Sequence, residues 1–172
     1  GAGAARIEQA IKDKVLTHPD RHLPGMWRVG QNIGGGNVGH TFDVDGTDER
    51  SLTKALLWAR RSLLEYQTYY QRYLKGFESM ELVATAALLG LRETRRITGD
   101  YVLNLADFRR RAVFQDEIGR YSYPVDIHPS RPDKAQFGKF LKEFTQDLRL
   151  RKGESYGIPY RCLLPRGLVN VL

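Results

Sequence analysis

Apolar residues recur at helical spacing near the start of the chain and again in its first half. Ile7, Ile11 and Val15 lie four residues apart, which predicts a short amphipathic helix that ends before Pro19. A longer apolar stripe runs from Leu52 to Tyr73 in alternating steps of four and three residues. The stripe predicts a helix of about 27 residues with a Thr47 cap, and Gly76 is expected to end it. We expect the tyrosines at the end of the stripe to be packed in a core.

The remaining pattern mixes helices with strands. Helical spacing recurs near Ser79 to Leu89, from an Asn104 cap through Arg111, and from about Lys134 to Arg149. Strand-like runs occur at Tyr101–Leu103, Ile118–Ile127 and Ile158–Leu164, and a turn is expected at residues 165–167. Residues 23–46 are rich in glycine and are typical of irregular strand and loop. The predicted class is α+β, a mixed sheet with packed helices, in a single domain over residues 1–172.

Composition places the chain among ordinary globular proteins. Apolar residues make up 41% and charged residues 27% of its 172 residues, and the lone Cys162 excludes an internal disulfide framework. No apolar run approaches the roughly 18 residues of a membrane helix, so we expect no membrane partner. The net charge is +7, but its basic clusters are short and scattered, and no nucleic-acid reading motif accompanies them. We therefore expect no nucleic-acid partner, and the sequence does not indicate a localisation.

Both ends of the chain suggest a longer protein. Residues 1–5 lack an initiator Met and are interpreted as a cloning remnant, and residues 167–172 form an apolar run typical of a strand that enters a further domain. We expect the apolar residues near this end to be exposed and to favour self-association. They are Leu163, Leu164, Leu168, Val169, Val171 and Leu172.

Two short motifs match sequence signatures of proteins that bind or transfer phosphate groups. Residues 34–39 match GxGxxG, but a dinucleotide site needs a helix that opens within the motif and an acid about 20 residues later, and Asp43 comes too early. Residues 43–47 match the DxDGT signature of aspartate-nucleophile phosphatases, but no downstream acidic pair follows to hold magnesium. A helix-capping loop explains the second motif directly.

The four histidines show no paired spacing on one helix, so we expect no metal site. They are His18, His22, His40 and His128. His128 follows a predicted strand and precedes Pro129, where a side chain often reaches a functional site. A surface histidine is the alternative interpretation.

Four separated segments resemble one family in order along the chain. They are residues 42–50 (FDVDGTDER), 91–101 (LRETRRITGDY), 123–128 (YPVDIH) and 158–161 (IPYR). Together they resemble the bacterial FAD-dependent oxidoreductase family, and the second segment is the most specific. The resemblance implies a two-domain flavoprotein whose FAD domain is assembled from both chain ends, with this chain as the inserted substrate-side domain.

That resemblance implies FAD as the cofactor of the intact parent, a small-molecule substrate, and flavin-binding segments of the same polypeptide as partners. Binding of FAD by this chain alone is not expected, because the strand and glycine loop for the pyrophosphate are lacking. Tyr160 and Arg161 are implied to approach the flavin or the domain junction, and Arg161 is also a candidate for substrate contact. The implied reaction is hydride transfer between an organic substrate and flavin.

The arginine block of the second segment carries the candidate substrate contacts. In an extended segment Arg92 and Arg96 point to one side and Arg95 to the other, so each face carries a guanidinium. Beside Glu93 they form either an internal ion pair or an anion site, and both interpretations stay open. His128, Tyr101 and Tyr160 are the available catalytic proton donors, and the sequence does not rank them. The alternative function is a non-catalytic basic module that binds an acidic partner.

Overall fold

The computed structural model describes residues 2–22 and 26–170, which form two compact units. The first unit contains residues 1–94 and 128–139, and the second contains residues 95–127 and 140–172. The expectation of a single domain stays a prediction, because two compact units can belong to one domain. No helix in the described ranges is long and apolar enough to cross a membrane.

Two helices and a tyrosine-rich core build the first unit. Helix α1 (Ala2–Lys12) packs against helix α2 (Glu49–Tyr73) through a cluster of buried side chains. The cluster consists of Ile7, Ala10, Leu16, Tyr66, Tyr69 and Tyr70. Thr17 ties the loop after α1 to α2, because its backbone N–H and its hydroxyl both donate to the Glu65 carboxylate. The tyrosine end of the predicted stripe is therefore core, as expected.

The N-cap of helix α2 lies one residue later than predicted. Asp48 is the N-cap and accepts a hydrogen bond from the Ser51 N–H at 2.8 Å. The predicted Thr47 cap is wrong, because the Thr47 hydroxyl donates instead to Asp45 Oδ1 at 2.7 Å within a tight turn. The helix ends at Tyr73 with Leu74 as its C-cap, and Gly76 follows with a φ of +93°. Periodicity thus located the helix, whereas its N-cap and its end at Tyr73, three residues before Gly76, differ from the prediction.

The glycine-rich region forms a short hairpin. Strand β1 (Met26–Arg28) pairs antiparallel with strand β2 (Gly34–Gly36). The indole of Trp27 lies over Gly35, where a Cβ would come within 2.7 Å of ring atoms. Packing of an aromatic ring on bare backbone therefore explains the central glycine of this strand.

Residues 79–98 contain neither a helix nor a strand. The helix predicted near Ser79 to Leu89 is wrong, and the arginine block lies in neither a helix nor a strand. Val83 is 86% and Leu88 is 82% exposed. A short helix is stable in a protein only when its apolar face is buried, and this segment has no such burial.

The second unit combines a capped turn of helix with a small sheet. Asn104 and Asp107 form a capping box that begins helix α3 (Leu105–Arg109). The predicted Asn104 cap is confirmed, and the helix ends two residues before the predicted Arg111. Strand β3 (Glu117–Tyr121) pairs antiparallel with strand β4 (Tyr156–Pro159). Phe108, Leu148 and Leu150 form the buried core.

Helix α4 (Lys134–Lys142) contributes residues to both units and continues into a π-helical turn, Glu143–Asp147. A 3-10 turn, Tyr160–Cys162, follows β4. The strands are shorter than predicted, and Tyr101–Leu103 is not a strand. Residues 168–170 show no strand, and Val171 and Leu172 lie outside the described residues. The α+β class is confirmed, with two antiparallel two-stranded sheets in the described chain rather than one mixed sheet.

Replacing Asp48 by Ala is expected to lower the free energy of unfolding by about 1 kcal/mol, because the Ser51 N–H at the start of α2 loses its acceptor. Urea denaturation of the two proteins measures the difference. The matched control is Thr47→Ala, which removes only an exposed bond to Asp45 and is expected to change stability by less than about 0.5 kcal/mol. A larger loss in the Thr47 variant than in the Asp48 variant contradicts the capping assignment.

Candidate functional site

A buried carboxylate organises the first unit's main cluster of polar side chains. Asp20 is 3% exposed and accepts the His22 backbone N–H at 2.9 Å and His40 Nδ1–H at 2.8 Å. Burial alone would raise the pKa of Asp20, but the hydrogen bonds from His40 and from the His22 backbone outweigh it, and the pKa is lowered. The carboxylate is therefore ionised at neutral pH and fixes His40 with its proton on Nδ1.

The other ring nitrogen of His40 faces the imidazole rings of His22 and His128. This Nε2 lies 3.2 Å from His22 Nδ1 and 3.0 Å from His128 Nδ1. One ring nitrogen from each histidine lies within 4.8 Å of the other two, and each residue is half-buried. The three rings form what we call the imidazole cluster, a set of donors of the type that binds transition metals.

Local backbone and aromatic packing position these rings. Gly39, immediately before His40, has a φ of +74°, and a Cβ there would come within 2.6 Å of the Tyr66 ring. Only glycine allows that combination of a left-handed backbone and a close ring contact. Phe137 of α4 packs against His22, with ring centroids 6.1 Å apart.

His18 lies outside the imidazole cluster. Its ring packs on Phe42 and on the edge of Trp58, and burial lowers its pKa. His18 is therefore the one histidine in the described chain that contributes no nitrogen to the cluster.

The sequence had selected His128 as a site candidate and had set His22 and His40 aside. His22 and His40 are 18 residues apart, and His40 and His128 are 88 apart. No motif spacing joins three loops of this kind, so only the folded chain brings the rings together. The expectation of no metal site rests on the lack of paired histidines on one helix, and that pattern does not report on rings contributed by separate loops.

A second polar cluster lies in the second unit around Asp107, which is 1% exposed. The Tyr101 hydroxyl lies 2.9 Å from both oxygens of this carboxylate and donates to it, and Arg110 Nη2 contacts Oδ1 at 2.5 Å. The hydrogen bond to Asp107 raises the pKa of Tyr101. The tyrosine is therefore a weaker acid than usual, with its proton held by a structural partner.

Arg161 and Tyr160 lie next to this cluster. The Arg161 guanidinium carbon lies over the Tyr101 ring, 5.0 Å from its centroid, and 5.8 Å from the Phe114 centroid. Arg161 Nε is 3.7 Å from Asp116, and the guanidinium side chain is 45% exposed. Tyr160 is 39% exposed, and its backbone N–H donates to the Asp116 carbonyl.

The arginine block is exposed along its length. Arg92 belongs to the first unit and Arg95 and Arg96 to the second, and each side chain is exposed. His128 belongs to the first unit, whereas Tyr101, Tyr160 and Arg161 belong to the second. The role of each of these residues stays a prediction.

Part of the positive charge is paired with acids. Several arginines of the described chain contact a carboxylate of a neighbouring residue or segment, which reduces the charge available to a polyanionic partner. They are Arg21 with Glu8, Arg110 with Asp107, Arg111 with Glu154, Arg120 with Glu117, and Arg161 with Asp116.

The second unit also contains an open cleft between β3 and the loop that follows the π-helical turn. Its lining includes Tyr121, Tyr123, Phe144, Arg149 and Arg151. None of the candidate residues chosen from the sequence lines this cleft.

The described residues do not fit the pyrophosphate of FAD. A pyrophosphate loop places glycines at the N-terminus of a helix, whereas Gly34–Gly36 forms a hairpin strand covered by Trp27. Within residues 2–22 and 26–170, this glycine run therefore serves packing.

Residues 3–172 match the family described as FAD dependent oxidoreductase. No curated protein and no solved structure is significantly similar to the chain. The family match covers nearly the whole sequence and agrees with the four segments that carried the resemblance. The chain thus belongs to the FAD-dependent oxidoreductase family.

Proposed function

We propose that this chain is the substrate-side part of an FAD-dependent oxidoreductase, in which hydride passes between an organic substrate and flavin held by other segments of the polypeptide. The observation that carries the proposal is the family match over residues 3–172 in a chain whose glycine run forms a hairpin and not a pyrophosphate loop. In cofactor enzymes the protein orients the substrate against the reactive atom of the cofactor, and we propose that this chain supplies side chains for that purpose.

The exposed segment 79–98 supports the proposed partner. Its apolar side chains face solvent over a length of chain that has no helix or strand, and large exposed apolar surface marks an interaction site. The exposed large apolar residues are Leu82, Val83, Leu88, Leu91 and Ile97. We propose that flavin-binding segments of the same polypeptide cover Leu82, Val83, Leu88 and Leu91 in the first unit and Ile97 in the second. Leu163, Leu168 and Val169 are also exposed and are proposed to belong to the same kind of contact.

The arginine block supplies the proposed substrate contacts. Arg92, Arg95 and Arg96 lie in the exposed segment, where a ligand can reach them. A guanidinium offers a planar fork of donors that suits carboxylates and other oxygen-rich groups. The proposed substrate class is therefore an anionic or polyhydroxylated small molecule.

The surroundings of the two tyrosines favour different roles for them. Tyr101 donates to buried Asp107 and holds the turn that precedes α3. Tyr160 is exposed on the 3-10 turn after β4, where its hydroxyl can reach a bound molecule. We propose Tyr160 as the proton donor of this pair and Tyr101 as a residue that positions Asp107 and Arg161.

Titration of the purified 172-residue chain with FAD is expected to leave the flavin unbound, because the described residues provide no phosphate-binding helix terminus. Gel filtration followed by the flavin absorption spectrum measures retention. Co-elution of one FAD per chain contradicts the proposal that other segments of the polypeptide hold the flavin.

Replacing each of Arg92, Arg95 and Arg96 by Lys in the full-length flavoprotein is expected to lower kcat/KM about 10-fold or more for at least one variant. Lys keeps the charge and loses the planar fork. Stopped-flow reduction of the bound flavin by a panel of hydroxy acids and sugars measures the effect. The matched control is Arg60→Lys on the exposed face of α2. If all three variants retain wild-type kinetics and melting temperature, the block is solvated surface.

A pair of Phe substitutions separates the two tyrosine roles. Tyr101→Phe is expected to lower the melting temperature, because buried Asp107 loses a hydrogen-bond donor. Tyr160→Phe is expected to keep the melting temperature and to lower kcat in the full-length enzyme. Thermal unfolding and steady-state kinetics measure both. Loss of kcat in the Tyr101 variant at unchanged melting temperature reverses the assignment.

A further inference from the structure

We propose that the imidazole cluster of His22, His40 and His128 binds one Zn²⁺ ion, with Asp20 orienting His40 from behind. All four residues belong to the first unit. The proposal does not depend on the flavin role of the chain.

The separations of the ring nitrogens suit a common cation. A zinc ion with Zn–N bonds of about 2.05 Å in tetrahedral geometry separates its nitrogen ligands by roughly 3.3 Å. His40 Nε2 lies 3.2 Å from His22 Nδ1 and 3.0 Å from His128 Nδ1. Small shifts of the rings therefore bring the nitrogens to ligand distance.

The rings surround a point and do not form a linear chain. The ring centroids of His22 and His40 are 4.9 Å apart, those of His40 and His128 are 4.9 Å apart, and those of His22 and His128 are 4.7 Å apart. In a linear hydrogen-bonded chain the two outer rings would be the most distant pair. Here they are the closest pair, as expected for three ligands of one ion.

Hydrogen-bond geometry favours a cation over imidazole–imidazole bonds alone. His40 donates from Nδ1 to Asp20, so its Nε2 carries one in-plane lone pair. Two ring nitrogens face that lone pair, and a single lone pair accepts one well-aligned hydrogen bond. A metal ion at the shared point lets each of the three rings direct its own lone pair at the cation.

Asp20 supplies the support that metal-binding histidines commonly have. A ligating imidazole usually donates its other N–H to a carboxylate, which fixes the tautomer and makes the ligand more basic. Asp20 does this for His40 from a buried position. The negative charge of Asp20 also compensates a nearby cation in a region of restricted solvent access.

The donor set indicates the class of metal and its coordination. Three imidazoles suit zinc and neighbouring transition metals, and hard cations such as Mg²⁺ prefer oxygen ligands. A zinc ion with three protein ligands keeps a fourth position for water or a small molecule. Each histidine is half-buried, so solvent reaches the cluster.

Calorimetric titration of ZnCl₂ into EDTA-treated, tag-free chain tests the site, and Co²⁺ substitution gives a visible spectrum that reports tetrahedral nitrogen coordination. The wild-type chain is expected to bind one equivalent of zinc. His40→Ala and His128→Ala are each expected to weaken binding about 100-fold or more, and Asp20→Asn about 10- to 100-fold. His18→Gln is the matched control, because it removes a histidine and leaves the cluster intact.

Circular dichroism of each variant separates loss of the site from loss of the fold. If His40→Ala does not fold, His128→Ala decides, because its ring is contributed by a different loop. The proposal is overturned if the wild-type chain takes up no zinc, if the folded cluster variants bind with wild-type affinity, or if His18→Gln loses binding equally.

Discussion

The buried Asp20 carboxylate is the constraint on which the arrangement of the first unit depends. A carboxylate that is 3% exposed is stable only when its oxygens accept hydrogen bonds, and here one oxygen accepts the His22 backbone and the other accepts His40. The bond from His40 joins the loop after α1 to the loop that leads into α2, and the bond from the His22 backbone lies within the loop after α1. They also turn the remaining nitrogen of His40 towards His22 and His128. One buried charge thus fixes both a loop junction and the direction of a ligand-type lone pair.

In the second unit a buried carboxylate is likewise satisfied by hydrogen bonds, with different partners. Asp107 is buried and satisfied by the Tyr101 hydroxyl, Arg110 and the Asn104 backbone. The Arg161 guanidinium then lies over the Tyr101 ring. In both units a buried acid therefore fixes the orientation of side chains that family membership and residue chemistry make functional candidates. The flavoprotein assignment rests on the family match, whereas the imidazole cluster is a property of this chain's own geometry.

Hydrophobic periodicity and capping residues predicted the local structure correctly in segments whose apolar residues are buried. Helix α2 and the Asn104 cap of α3 were predicted because an apolar stripe or a capping residue is encoded within a few neighbouring residues. The helix expected near Ser79 was wrong, because its apolar face has no partner within the described chain. Thr47 was a reasonable cap by type, but Asp45 competes for its hydroxyl. Tertiary contacts decide such cases, and a single sequence does not contain them explicitly.

The candidate site could likewise be predicted only in part from the sequence. His128 was selected because it follows a strand-like segment, but its partners His22 and His40 come from distant loops and share no spacing motif. Gly39 carried the one local signal beside His40, since a glycine there permits the left-handed backbone and the contact with Tyr66. Gly39 lies in a glycine-rich stretch that matches a phosphate-binding motif, so its structural role was not evident from the sequence. Chain topology, rather than local composition, creates the cluster.

The central claim is that Asp20 holds His40 with its proton on Nδ1 and its lone pair directed at the other two rings. Long-range ¹⁵N–¹H NMR correlation of the histidine rings in the metal-free chain at neutral pH reports the tautomer directly. The account predicts a protonated Nδ1 and an unprotonated Nε2 for His40, and loss of this preference in Asp20→Asn. A hydrogen on His40 Nε2 in the wild-type chain contradicts it.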